Sequence, residues 1–273
     1  MNELVDLEPV YDEIYRNGKE VFHTFSLELI YSNVYKIIKN HINGKKILDL
    51  GCGTGEFLRK YVTLEEPSEM VGYDMSGEGI KIANNDPITK EKNIRFEKLN
   101  FDDLIFGLDN DLCAEKGYYD VITSIGVIEH LDNPNDLFLI AKKLLKPDGL
   151  FVLECPNFLN LRGLIWKTLE LFVGAEMSKT DKYMMLPDKI FSLMNINDFK
   201  CDHIVTFDQD RGMKQRMIED YKKRLRLALE GKVDRLDNKL KNYFEFLSFI
   251  TDGRIFIDTS ANGAEALYIM RKM

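Results

Sequence analysis

The sequence predicts a doubly wound α/β fold, a mostly parallel sheet carrying helical insertions. Three observations lead there. Short β-rich segments alternate with helical patterns up to about residue 155, the order that parallel β-α-β units impose. A strand candidate at 46–50 runs directly into glycines at 51, 53 and 55 and then into a helical pattern, which is how such a fold brings backbone close to a ligand. Beyond Cys155 the alternation gives way to longer amphipathic stretches.

Taken in order, residues 1–44 read as helical and lie over the core. The strand candidates are 46–50, 70–73, 94–98, 120–124 and 150–154. Between them 55–62 and 135–145 have helical patterns, the second closed by Lys146-Pro147-Asp148-Gly149, since proline cannot continue a helix and glycine frees the chain to turn. After Cys155, residues 158–173 have helical apolar spacing, 200–207 read as a further strand, and 211–250 read as a long charged helix. From Leu229 on, Val233, Leu236, Leu240, Tyr243, Leu247 and Ile250 alternate steps of four and three, the rhythm of a packed or coiled helix. Residues 254–258 and 264–271, around Asn262-Gly263, predict a terminal hairpin. The organisation expected is one domain over 1–273: a helical cap at 1–44, a ligand-binding core at 45–157, and helical insertions at 158–195 and 209–252.

Composition narrows the function classes. At 273 residues and 45% hydrophobic, the chain can bury one large core. No apolar run reaches the roughly 18 residues of a membrane span, and Met1-Asn2-Glu3-Leu4-Val5-Asp6 is not a signal region, so a soluble cytoplasmic protein is expected. Cys52, Cys113, Cys155 and Cys201 are far apart and form no zinc-type cluster; the expectation is reduced thiols and catalysis without a metal. A formal charge of −8 disfavours a nucleic-acid partner. Residues 211–241 depart from that balance, with eleven Lys/Arg against five Asp/Glu. They read either as a solvated helix face, as a cationic wall for a phosphorylated acceptor, or as a docking surface for a homodimer.

The chemistry lies in Ile47-Leu48-Asp49-Leu50-Gly51-Cys52-Gly53-Thr54-Gly55. A dinucleotide fingerprint needs glycine at the sixth position of G-x-G-x-x-G, and that position is Glu56. Asp49 ahead of the loop would repel a pyrophosphate but suits the ammonium group of an amino-acid-like ligand. Asp74, 23 positions after Gly51, stands where a carboxylate can accept both hydroxyls of a ribose.

Leu48-Asp49-Leu50-Gly51-Cys52-Gly53-Thr54-Gly55, Asp74, and Tyr119-Asp120-Val121-Ile122-Thr123-Ser124 running on to Val127-Ile128-Glu129-His130-Leu131 together resemble the class I S-adenosylmethionine-dependent methyltransferases. The resemblance is to the small-molecule subgroup that includes ubiquinone-biosynthesis O-methyltransferases and sugar methyltransferases, and it covers residues 45–157 well. It implies a Rossmann-like sheet of seven strands, the last antiparallel, with S-adenosylmethionine across the carboxyl ends of the strands and S-adenosylhomocysteine as product. Carried over, Asp49 and the backbone of Gly51, Cys52 and Gly53 hold the methionine part, Asp74 the ribose hydroxyls, and Met75 the adenine. The acceptor for the adenine amino group falls at Asn100, followed by Phe101, with Asp102 as the alternative, while Ser124 and Ile125 border the methionine and the sulfonium.

Methyl transfer is an in-line displacement in which orientation supplies most of the acceleration. An alcohol acceptor must also lose a proton, and histidine is the side chain best matched to that task near neutral pH. His130 follows the fourth strand at the edge where the methyl should point, so it is the candidate base or acceptor-orienting group; the bland alternative is that Glu129-His130 braces the turn. The acceptor should be framed by Tyr11 and Tyr15, by the segment from Pro156 through Phe172, and by the insert after Phe207. No Asn-Pro-Pro-Tyr motif follows the fourth strand, which favours an oxygen acceptor over a base nitrogen. The expected activity is O-methylation of a small hydrophilic molecule, phosphorylated or sugar-type, over a phenol or carboxylate. A non-catalytic S-adenosylmethionine-binding protein and a nicotinamide oxidoreductase are the other classes weighed.

Overall fold

The computed structural model describes residues 7–17, 27–109, 116–176, 178, 180–252, 261 and 263–273. Seven strands, β1 (Lys46–Leu50), β2 (Glu69–Asp74), β3 (Ile94–Lys98), β4 (Tyr119–Ile125), β5 (Leu145–Pro156), β6 (Phe199–Phe207) and β7 (Glu265–Lys272), form one sheet in the order β3-β2-β1-β4-β5-β7-β6. β1 to β5 are parallel, and β7 runs antiparallel between β5 and β6. The chain therefore builds outward from β1 in one direction and restarts at β4 in the other. Between β1 and β4 the connections diverge, and that switch point is where open parallel sheets bind ligands.

Alternation along the strands explains the two helical layers. Ile47, Val121 and Val152 face a core completed by α2 (Leu27–Ile38), α3 (Glu56–Lys60) and α4 (Gly77–Asn85). Leu48, Ile122, Phe151 and Leu153 face the opposite core, completed by α6 (Phe101–Asp109), α7 (Pro134–Leu144) and α9 (Pro187–Ile196). α1 (Glu8–Asn17) precedes them in sequence and packs on α4; α5 (Pro87–Glu91) follows α4, and α8 (Leu161–Val173) precedes α9. The helix starts follow capping chemistry: Ser76 Oγ accepts from Gly79 N–H, and Asn133 accepts from Asn135 N–H ahead of Pro134. Among the described residues no helix is long and apolar enough to cross a membrane.

The last third departs from expectation in two places. Residues 211–250 are not one helix but parts of α10 (Gln209–Met213), α11 (Gln215–Leu229) and α12 (Leu236–Asp252). The chain breaks at Lys214 (φ −124°, ψ −143°) and again between Gly231 (φ 73°) and Arg235 (φ 52°), left-handed positions that no α-helix continues through. The heptad residues Leu229, Val233, Leu236, Leu240, Tyr243 and Leu247 instead fold inward on Trp166, Met217 and Tyr221, forming a third small core. That seam is covered within the chain. The expected terminal hairpin is the second correction. β7 has β5 on one edge and β6 on the other, so neither edge is open to residues 254–258, which lie outside the described residues. The true partner, β6, is separated from β7 by a helical insert, which a local turn signal cannot report.

One polar lock ties the third core to the sheet. Asn157 Nδ2 donates to the carbonyls of Ala261 (3.0 Å) and Gly263 (2.7 Å), and Asn160 Nδ2 donates to the same Gly263 carbonyl (2.9 Å). Asn160 Oδ1 meanwhile caps α8 by accepting from Gly163 N–H at 2.8 Å. Asn160→Ala removes a cap and the Nδ2 donor to the buried Asn157 carbonyl (2.9 Å), so it should cost about 2 kcal/mol in urea unfolding. An unchanged unfolding midpoint would show that α8 is held by its apolar face alone.

Candidate active site

The carboxyl ends of β1, β2, β4 and β5 open into a cavity of about 600 Å³, within the range that holds a cofactor and a small ligand. Its first wall is the glycine loop after β1. Gly51 (φ 78°) and Gly53 (φ 54°) are left-handed, and a Cβ on Gly53 would stand 2.7 Å from the Tyr15 hydroxyl of α1. Only glycine allows that approach. Gly53 N–H donates to Asp74 Oδ2 at 2.8 Å and Ser76 N–H to Asp74 Oδ1 at 2.8 Å, so the end of β2 is fixed to the loop. Each carboxylate oxygen keeps a lone pair for a ligand hydroxyl. Burial pushes the Asp74 carboxyl up against the pull of those two amides.

Of the sequence candidates, Gly51, Cys52, Gly53, Asp74, Met75 and Asn100 line the cavity, as do Phe101, Ile125 and His130. Two do not. Asp49 lies behind the wall, 3% exposed, accepting from Thr123 Oγ1 at 2.7 Å, and burial raises its carboxyl to about 7. Ser124 is fully buried, with Oγ donating to the Leu50 carbonyl at 3.0 Å; its side chain is spent on the β1–β4 seam rather than on the cavity. Asn100 Oδ1 caps α6 by accepting from Asp103 N–H at 2.7 Å, which leaves Asp102, exposed in the first turn and also on the wall, as the uncommitted oxygen there. Burial pushes the Cys52 thiol up, so it stays protonated.

His130 ends the 3₁₀ turn Ile128–His130 after β4. Its Nδ1 lies 3.1 Å from the Thr180 carbonyl and 3.4 Å from Asp181 Oδ1, and Nε2 is 3.8 Å from Glu129 Oε1. The Tyr11 ring meets the imidazole edge-on at 5.8 Å. Burial lowers the His130 pKa below 6.5, opposed by Asp181 and the Thr180 carbonyl. The segment after α8 clasps this turn: Lys182 and Tyr183 N–H groups donate to the Glu129 carbonyl at 2.8 and 3.3 Å, and Lys182 Nζ meets Asp132 at 2.6 Å. The carbonyl at Nδ1 fixes the tautomer with the proton on Nδ1, leaving Nε2 as a base.

Behind His130 lies a group of buried ionisable residues, of which only Glu129 belongs to a motif singled out in the sequence. Glu129, Glu154, Glu265 and Arg162 are each 4% exposed or less and line the cavity. Arg162 Nε donates to Asp220 Oδ2 at 3.1 Å, Arg224 Nε lies 3.2 Å from Asp220 Oδ1, and Arg211 Nη1 donates to Glu265 Oε1 at 2.7 Å. A sequence signal did exist for two of them: Glu154 directly follows the apolar run Leu150–Leu153 in β5 and Glu265 directly precedes the run Ala266–Met270 in β7, and a carboxylate against such a run is a functional candidate by its desolvation cost. Tyr31, Thr180 and Asp181 also line the cavity and carried no signal. Among the described residues no group of His, Cys, Asp and Glu is arranged to hold a metal ion.

This donor set fits S-adenosylmethionine: a carboxylate at the end of β2 for a ribose, closely approached glycine backbone, and buried carboxylates facing a cationic ligand. Comparison with known proteins agrees. A family model described as a methyltransferase domain matches residues 22–201. The ubiquinone biosynthesis O-methyltransferase of Glaesserella parasuis is 25% identical over 62% of this chain and 70% of its own length. Those of Haemophilus ducreyi (34% identical) and Pasteurella multocida (28%) match over 43% of this chain and about half of their own lengths, 48% and 49%. Among solved structures, a putative sarcosine dimethylglycine methyltransferase from Galdieria sulphuraria superposes with TM-score 0.59 at 15% identity, covering 96% of this chain and 98% of that one. The [4+2]-cyclase SpnF superposes with TM-score 0.61 at 13% identity, covering 97% and 94%. At such identities they show the fold alone, and the cyclase shows that the fold by itself does not fix the reaction. With the family model matching more than half of its residues, and with the glycine loop, Asp74 and the Glu129-His130 turn meeting at one cavity, the chain belongs to the methyltransferase domain family and is a class I S-adenosylmethionine-dependent methyltransferase.

Proposed function

We propose that the chain transfers the methyl group of S-adenosylmethionine to a hydroxyl oxygen of a small hydrophilic acceptor of the sugar type, with His130 taking or orienting the hydroxyl proton. The observation that carries this reading is the cavity itself. The glycine loop, Asp74 and His130 all line it, together with polar side chains. The resemblance to proteins named O-methyltransferases supports oxygen as the acceptor atom. Of the acceptors weighed from sequence, the wall favours a polyhydroxylated molecule over a phosphorylated one. Only Arg224 of the basic stretch 211–241 lines the cavity, while Glu129, Asp132, Asp181, Glu154 and Glu265 all do. Their oxygens accept from hydroxyls, and the cations on the same wall are already paired with carboxylates, Arg162 and Arg224 with Asp220 and Lys182 with Asp132.

In this reading Gly51 and Gly53 present backbone to the methionine part, Asp74 accepts from the ribose hydroxyls, Met75 and Phe101 flank the adenine, and Asn100 or Asp102 meets its amino group. Bound there, S-adenosylmethionine supplies an activated methyl on a sulfonium. The chain's own work is orientation. Tyr11 and Tyr15 close one side of the cavity from α1, and the Thr180 carbonyl fixes the His130 ring so that Nε2 faces the acceptor hydroxyl.

Two measurements test this. In calorimetry, Asp74→Ala should weaken S-adenosylmethionine by roughly 30- to 100-fold, the loss of about 2 to 3 kcal/mol of charged hydrogen bonding; equal affinity would remove the site assignment. His130→Ala should lower kcat by about 10² to 10⁴ with cofactor affinity nearly unchanged. Parallel loss of both would make His130 structural. The base must be neutral, and its pKa lies below 6.5, so the acid limb of kcat/KM should fall below pH 6.5. Asp181 favours the imidazolium, so Asp181→Asn should move that limb to still lower pH. A limb that stays or rises would show that another group titrates.

A further inference from the structure

The cluster beneath His130 contains more carboxylate than its own cations neutralise. Glu129, Glu154, Glu265, Asp181 and Asp220 face Arg162, Arg211 and Arg224, five carboxylates against three guanidiniums, while Lys182 is held by Asp132. Buried atoms in it without a hydrogen-bond partner include Glu129 Oε2, Glu154 Oε1 and Arg162 Nη1, while the Glu154 carboxyl also bonds to that of Glu265. All three residues line the cavity. A buried polar atom without a partner typically costs about 1 to 3 kcal/mol, more if charged, and native structures keep few of them without a use. Two unpartnered acceptors and an unpartnered donor on one wall describe a ligand that has both donors and an acceptor and brings positive charge.

We propose that Glu129, Glu154 and Glu265, with Arg162 beside them, form a subsite for a protonated amino group on the methyl acceptor, making that acceptor an amino-substituted polyol of the amino-sugar type. The inference rests on the O-methylation reading and deepens it. An ammonium offers three donors, enough to meet both orphaned carboxylate oxygens, whereas a hydroxyl offers one. Arg162 Nη1 is then left to donate to a neighbouring hydroxyl oxygen. Burial pushes the Glu129 and Glu154 carboxyls well up and Glu265 to about 7, so in the absence of a cation the cluster holds protons, and the ammonium takes their place. A nitrogen held in this way has no lone pair, so the methyl goes to an oxygen near His130.

The cluster also has its own reporter. Trp166 is the chain's single tryptophan; it lies one turn beyond Arg162 on α8 and against Tyr221 at 5.4 Å. The test titrates the full-length protein, saturated with S-adenosylhomocysteine and in EDTA, with D-glucosamine, N-acetyl-D-glucosamine and D-glucose, following Trp166 fluorescence and, in parallel, calorimetry. The expected result is at least tenfold tighter binding of glucosamine than of either neutral sugar, with most of that preference lost in Glu154→Gln. Equal affinities, or no measurable binding of any of the three, overturn the subsite; the wild-type comparison alone decides this if the variant does not fold. A preference that survives in both Glu154→Gln and Glu129→Gln also overturns it, because the cation is then held elsewhere. Mass spectrometry of products made with S-adenosylmethionine separates the two readings. O-methylated sugar without an amine preference removes the subsite and leaves O-methylation standing. An amine preference with no methylated product removes O-methylation and leaves the subsite, and methyl on nitrogen overturns the subsite.

Discussion

Desolvated carboxylate is the constraint on which the active end of this protein depends. Asp49, Glu129, Glu154 and Glu265 are each 4% exposed or less, and burying an ionised carboxylate is costly unless it is paired. The fold offsets part of that cost within itself. Thr123 serves Asp49, Arg211 serves Glu265, and the amides of Gly53 and Ser76 serve Asp74. What remains is a cavity whose buried carboxyl groups favour positive charge, which suits a sulfonium cofactor with its own ammonium group and the aminated acceptor proposed above.

The sheet order is what brings these groups together. β1, β2, β4 and β5 are parallel neighbours or next neighbours, so their last residues reach the same edge. β7 enters antiparallel, and its first residue, Glu265, is therefore paired with Pro156 at the end of β5. Had β7 been parallel, Glu265 would lie at the far edge. The antiparallel strand thus does more than finish the sheet: its direction delivers a carboxylate from near the end of the chain to the cavity, where Arg211 from the insert meets it at 2.7 Å.

How much of this was legible in the sequence follows from the range of the interactions. Strands 46–50 and 94–98, the glycine loop and Asp74 were readable because each depends on neighbours in sequence: apolar runs, left-handed glycines, a carboxylate one strand away. That the side chains of Asp49 and Ser124 stand off the cavity lining was not readable in the same way, since strand alternation decides which way a side chain points, and cross-strand bonds to Thr123 and Leu50 hold both. The single helix expected over 211–250 failed at Lys214 and at Gly231 to Arg235, where local backbone geometry overrides an apolar rhythm. Arg162, Arg224 and Asp181 were not legible at all, because their place follows from how the insertions pack on one another.

That packing also decides what the basic stretch can do. Counted along the sequence, residues 211–241 are strongly cationic and suggest a wall for an anionic acceptor. In the structure Arg211 is neutralised by Glu265, Arg216 by Asp208, and Arg226 by Asp237. Arg224 reaches the cavity with Asp220 at 3.2 Å. A guanidinium already paired with a carboxylate offers little net field to a phosphate, whereas unpaired buried carboxylates offer a large one to a cation. The selectivity of such a site is set by the groups the fold has left unpaired, and here those include Glu129 Oε2 and Glu154 Oε1, so net charge along a segment is a poor guide to the ligand that segment helps to enclose.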